Sequence, residues 1–138
     1  MWNEPPKEQL AKIPRLYETE RVPLKEKLIW VHFFIGASDW YVSEYDEEEN
    51  LFWGYAILNG DLDLEEWGYV SFDELKSIRI PPGFEVDCEV GWQVKKAIQT
   101  EKIRMGNHWS QTEEPKKSSS RKEKTDDLRT SYGIGRDH

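Results

Sequence analysis

The chain has 138 residues, 37 % hydrophobic and 33 % charged, with a formal net charge of −8, a length that suits one domain with room for a tail. Its single cysteine, Cys88, excludes an internal disulfide and any zinc site built from several cysteines. No apolar run approaches the roughly 20 residues of a membrane helix, and MWNEPPKEQL lacks the basic head and apolar run of a signal peptide, so a cytoplasmic location is expected.

Charge and aromatics are unevenly spread. Residues 1–99 carry 20 acids against 10 bases, a net of −10; residues 100–138 carry 7 acids against 9 bases, a net of +2. Within 39–89 there are 15 acids against only Lys76 and Arg79, a net of −13. The aromatics concentrate in the first hundred residues. A folded acidic domain over 1–99 and a polar, partly basic, disordered tail over 100–138 are the expected division.

In chain order, PPKEQLAKI (5–13) suits a short helix that Pro14 ends. An extended lead-in follows, with Leu16, Tyr17, Val22 and Leu24 as anchors. Residues 28–35 are apolar on both faces except for His32, as in a central strand covered on each side. His32 has no cysteine or second histidine near it to form a ligand set, which assigns it a structural role. Gly36, Ala37 and Ser38 make a hairpin loop of three residues. The strand 39–46 then sets Trp40, Val42 and Glu44 on one face and Tyr41, Ser43 and Tyr45 on the other. A buried Glu44 would demand a partner; the strand's end is expected to leave it in solvent.

Glu47, Glu48, Glu49 and Asn50 form the next loop, whose adjacent like charges must be solvated or neutralised. Residues 51–58 are a third strand, in which Gly54 signals a bulge or a close neighbour. Asp61, Asp63, Glu65 and Glu66 begin like a calcium loop, but Leu64 stands where glycine is required and Val70 where the last glutamate belongs, so an EF-hand is excluded. Residues 67–70 are a fourth strand. It runs into Ser71-Phe72-Asp73-Glu74, which has capping-box spacing and starts a helix of two turns with Phe72, Leu75 and Ile78 as its apolar stripe. On that helix, the Glu74-Leu75-Lys76 match to a nuclease E-x-K fragment is accidental. Residues 84–92 alternate, with Phe84, Val86, Cys88, Val90 and Trp92 inward and Glu85, Asp87 and Glu89 outward, as in a half-buried edge strand.

The fold class expected is α+β: a small antiparallel sheet, made of a meander of three or four strands plus an edge strand, with a short N-terminal helix and a capped middle helix. No phosphate-binding glycine loop or nucleophile elbow is present. The strings LYETE (16–20), VPLKEKLIWVHFF (22–34), DWYVSEYD (39–46), FWGYAILNGDL (52–62), EWGYVSFDEL (66–75) and FEVDCEVGW (84–92) resemble a family of short bacterial proteins from plasmids, phages and integrated elements, classed as a domain of unknown function. The resemblance covers roughly residues 10–95. It implies a mobile-DNA context and transfers no active-site residue.

Two readings of function follow. The first is a non-enzymatic module that binds a protein partner, such as a DNA-binding protein with a basic surface, through an acidic, aromatic-rimmed surface. Trp40, Glu44, Asp46, Glu47, Glu48, Glu49, Asp61, Asp63, Glu65 and Glu66 would form that surface, imitating DNA phosphates in an antirestriction role. No cofactor and no membrane contact are expected in this reading, and direct nucleic-acid binding is left to the tail. The alternative is a metal-dependent enzyme on nucleic acid or nucleotides, with Glu44, Asp46 and the acids of 61–66 converging on one pocket.

Overall fold

The computed structural model describes residues 1–109 and 134–135. A short helix, α1 (Lys7–Leu10), opens the chain. Three strands then form an antiparallel meander: β2 (Val31–Ile35), β3 (Ser38–Asp46) and β4 (Leu51–Ile57), preceded by the two-residue β1 (Leu28–Ile29). β5 (Glu66–Ser71) extends the sheet and runs directly into α2 (Phe72–Ser77). After it come β6 (Arg79–Ile80), β7 (Phe84–Glu85), β8 (Asp87–Cys88), β9 (Lys95–Lys96), α3 (Glu101–Gly106) and β10 (Ile134–Gly135). The main sheet has the order β10-β5-β4-β3-β2-β8, all antiparallel; β1 with β9 and β6 with β7 make two small sheets. The fold is α+β, as expected. Among the described residues no helix is long and apolar enough to cross a membrane.

Both faces of the sheet are covered. On the first, Val31, Phe33, Trp40, Val42, Tyr45, Phe52 and Val70 pack against Phe72 and Leu75 of α2 and against Val86 and Cys88. On the second, Tyr41, Tyr55 and Trp67 pack against Leu24, Ile29, Ala97 and Ile103. α2 begins as its spacing predicts, with Ser71 Oγ accepting from the Glu74 N–H at 3.1 Å.

Four boundaries differ from the periodic reading. The run 28–35 is interrupted at Trp30, whose N–H donates to Val42 O at 2.8 Å, so Ile29 joins the second core while Val31 begins the first. The first hairpin loop has two residues, Gly36 and Ala37, with Gly36 at φ +55°. The run 84–92 is split at Val86: β7 pairs with β6 and β8 with β2. Val86 and Cys88 stay buried, but Phe84 is 51 % exposed and Val90 76 %. The folded unit also extends past residue 99, because α3 fully buries Ile103. Past residue 109 the expected disordered tail lies outside the described residues, apart from Ile134 and Gly135, which pair with Val70 and Tyr69.

The change with most consequence is a bulge in β3. Val42 pairs with Gly54, but Glu44 pairs with Trp53, leaving Ser43 as the extra residue. A glycine is needed opposite, since a Cβ on Gly54 would stand 1.9 Å from the Tyr41 carbonyl oxygen. One extra residue inverts the alternation. Glu44 therefore shares a face with Trp53 and not with Trp40 and Val42, and Tyr45 joins Phe52 in the first core.

Candidate functional site

Three carboxylates expected or available for binding lie inside the protein. Glu44 is buried, contrary to the solvent position expected for it. Its Oε1 accepts from Tyr17 N–H at 2.8 Å and its Oε2 from Thr19 N–H at 3.1 Å and from the Thr19 hydroxyl. Lys27 Nζ lies 3.9 Å from Oε2 and donates to Thr19 O and Oγ1. Burial lowers the Lys27 pKa below its ordinary value, with Glu44 and Glu20 opposing the fall. This network fastens the lead-in to the sheet and holds Tyr17 at φ +71°, a backbone conformation unfavourable for a bulky side chain.

His32 is enclosed by a second network. Its Nε2 lies 2.8 Å from Asp39 Oδ1 and its Nδ1 2.7 Å from Glu89 Oε1, while Lys102 Nζ on α3 donates to Asp39 Oδ2 at 2.9 Å. The ring stacks on Tyr41 with centroids 4.4 Å apart. Both imidazole nitrogens are thus engaged by carboxylates. The arrangement clasps α3, β2 and the residue after β8 together. Burial, then the charges of Asp39, Glu89, Glu101 and Glu65, raises the Tyr41 pKa well above its usual value.

Glu65 completes the set. Its side chain is fully buried; Oε1 accepts from the Tyr55 hydroxyl, His108 Nε2 stands 3.9 Å away, and Oε2 has no hydrogen-bond partner among the described residues. Gly106 of α3 closes over the pair, since a Cβ there would meet Oε1 at 1.8 Å. Burial and the bond to Glu65 raise the Tyr55 pKa.

The exposed acids gather elsewhere. Asp46 ends β3, and Glu47, Glu48 and Glu49 form the turn, with Asp46 Oδ1 accepting from Glu48 N–H at 3.1 Å. Asn50 joins this turn to the start of α2: its carbonyl accepts from Phe72 N–H and its side chain donates to Asp73 Oδ1, both at 3.0 Å. Burial raises the Tyr45 pKa, and so do Glu47, Asp73 and Asp46, which places these charges around one hydroxyl. Asp46, Glu47, Glu48, Glu49, Asp73 and Glu74 thus form one acidic end. Asp73 and Glu74 were visible in the sequence only as cap residues.

The ten residues expected to form one surface are therefore divided. Asp46, Glu47, Glu48 and Glu49 are together at this end. Asp61 and Asp63 follow the other end of β4 and Glu66 opens β5 opposite Ala56 near that end; β4, at seven residues, separates the groups by about 20 Å. Trp40, Glu44 and Glu65 are interior, so Trp40 rims no surface. The carboxylates required by the metal-enzyme reading do not converge, and among the described residues no group of three or more His, Cys, Asp or Glu is arranged to hold a metal ion.

A model of the family described as "Protein of unknown function (DUF2958)" matches residues 8–104. The chain belongs to this family. The match takes in every strand of the meander, α2 and the clasp of α3 by Lys102, so the DUF2958 domain runs past the expected boundary at 99. No curated protein and no solved structure matches the chain.

Proposed function

We propose that this DUF2958 chain is a non-enzymatic interaction module of bacterial mobile elements that engages a basic protein surface through its acidic end. The observation that supports the reading is that none of Asp46, Glu47, Glu48, Glu49, Asp73 and Glu74 has an ion pair among the described residues. Six gathered negative charges repel one another. A basic partner relieves that repulsion and is steered toward it during encounter. The mobile-element setting rests on the sequence resemblance alone.

The compact patch favours a protein surface over an extended row of charges copying a DNA backbone, because the other acids of 39–89 are buried or lie elsewhere. A DNA-binding host protein remains the expected partner, and restriction enzymes are the first to assay. Excess protein is expected to inhibit cleavage of DNA by a restriction enzyme in a salt-dependent way, and a variant with Glu47, Glu48 and Glu49 changed to Gln and Asp73 to Asn should not. Affinity capture from a bacterial lysate should yield basic proteins that the variant fails to hold. Unaffected restriction enzymes, together with capture of the same proteins by both forms, would overturn the reading.

A further inference from the structure

The N-terminal residues and the β6–β7 hairpin hold three large apolar side chains at the surface. Trp2 is 44 % exposed, Phe84 51 % and Ile80 38 %. They form one patch: Ile80 and Phe84 are cross-strand partners, and the Trp2 and Phe84 rings meet edge to face with centroids 6.0 Å apart. The patch has a scaffold. Trp2 N–H donates to Val86 O at 3.0 Å, Trp2 O accepts from Cys88 N–H at 3.3 Å, and Asn3 Nδ2 donates to Asp87 Oδ1 at 2.9 Å, which seats Trp2 parallel to the chain at Asp87. Exposed aromatics held in a fixed position are typical anchors of protein interfaces.

Charge decides what can meet the patch. Its rim is internally matched: the Met1 α-amino group lies 2.5 Å from Glu85 Oε1, Arg79 Nε 3.6 Å from Glu85 Oε2, and Lys76 Nζ 3.7 Å from Glu4 Oε2. Two copies of a chain with net charge −8 repel across their acidic surfaces; across this rim they do not. Arg79 and Glu85 are also cross-strand partners at the patch. A two-fold contact sets each residue against its complement and the complement against it. Arg79 of one copy can then face Glu85 of the other while the aromatic rings meet.

We propose that Trp2, Ile80 and Phe84 form the interface of an isologous dimer of this chain. Sedimentation equilibrium of the full chain over a range of concentrations tests it. The weight-average mass should rise from 16.4 kDa toward twice that value. Added salt should strengthen association by screening the acidic surfaces around the patch. Trp2→Ala and Phe84→Ser should each raise the dissociation constant roughly tenfold or more. Val90→Ser, at an exposed apolar residue outside the patch, should leave it unchanged. A wild-type mass that stays monomeric at every concentration and salt overturns the dimer. Equal weakening by all three variants, or growth beyond two copies, overturns this patch as its interface. Near-UV circular dichroism checks the packing of each variant, and Trp2→Ala, cut at the surface, keeps the test decisive if Phe84→Ser unfolds.

Discussion

Replacing Glu44 by alanine is expected to be among the most damaging single changes in the molecule. The carboxylate accepts from two backbone N–H groups and one hydroxyl and faces the buried ammonium of Lys27. Each buried donor left without an acceptor costs about 1–3 kcal/mol, and an orphaned buried charge about 3–5 kcal/mol. The terms overlap because the lead-in can relax and admit water, so a total near 4 kcal/mol is expected. That is a large part of the roughly 5–15 kcal/mol that stabilises a typical domain. Urea unfolding of Glu44→Ala, Lys27→Met and the double variant measures it. Lys27→Met should cost stability in the wild type and restore it in the Glu44→Ala background. The pH dependence carries a second sign. The folded-state pKa of Lys27 lies below its unfolded value of 10.5, and losing Glu44 lowers it further. Between the two values the unfolded chain binds more protons, so stability rises with pH. Glu44→Ala should recover part of its loss as pH is raised toward 10.5. A loss under about 1 kcal/mol, or zero coupling between the two substitutions, refutes the reasoning.

Gly54→Ala should destabilise by about 3 kcal/mol or more in a thermal melt, because the new Cβ would meet the Tyr41 carbonyl oxygen at 1.9 Å and that atom belongs to a central strand; a neutral result would mean the bulge can move. Tyr41, Tyr55 and Tyr69 all have pKa values raised from 10.0, chiefly by burial. Above pH 10.0 the unfolded chain loses protons that the folded one keeps, so stability should fall with rising pH, less steeply in Tyr55→Phe. Tyrosinate absorbance appearing well before unfolding would contradict this. Burial, then Asp87 and Glu89, pushes the Cys88 thiol up to about 12, so a thiol reagent should react slowly with native protein and quickly in urea; fast native reaction would show the site opens.

How much of the candidate site was legible depends on sequence separation. The turn acids Glu47, Glu48 and Glu49 could be placed from the hairpin alone, because adjacent strands fix the loop between them. Asp73 was not so placed, since its position at that turn depends on the register that sets Ser71 opposite Leu51 and on the bonds of Asn50 with Phe72 and Asp73. The pairing of His32 with Asp39 was within reach: a two-residue loop sets Phe34 opposite Asp39, and His32 is its diagonal neighbour on the same face. Counting the loop as three residues hid it. Glu89 and Lys102 were out of reach, because nothing local indicates that a residue 57 or 63 positions away will close on the same pair of side chains.

Composition and periodicity by themselves determined the antiparallel meander, the capped helix after β5, the burial of Val86 and Cys88, and the division between acidic and basic regions. These follow from hydrophobic alternation, turn chemistry and helix capping, which act over a few residues. Tertiary structure alone decided which carboxylates meet solvent. The bulge at Ser43 turned Glu44 to the opposite face, where the lead-in could satisfy it, and α3 closed over Glu65. The break at Val86 left Phe84 at the surface beside Trp2. Each outcome hinges on a one-residue change of register or on a partner distant in the chain. A side-chain alternation of two reverses with a single inserted residue, so the pattern that locates a strand cannot also say which of its faces carries the charge.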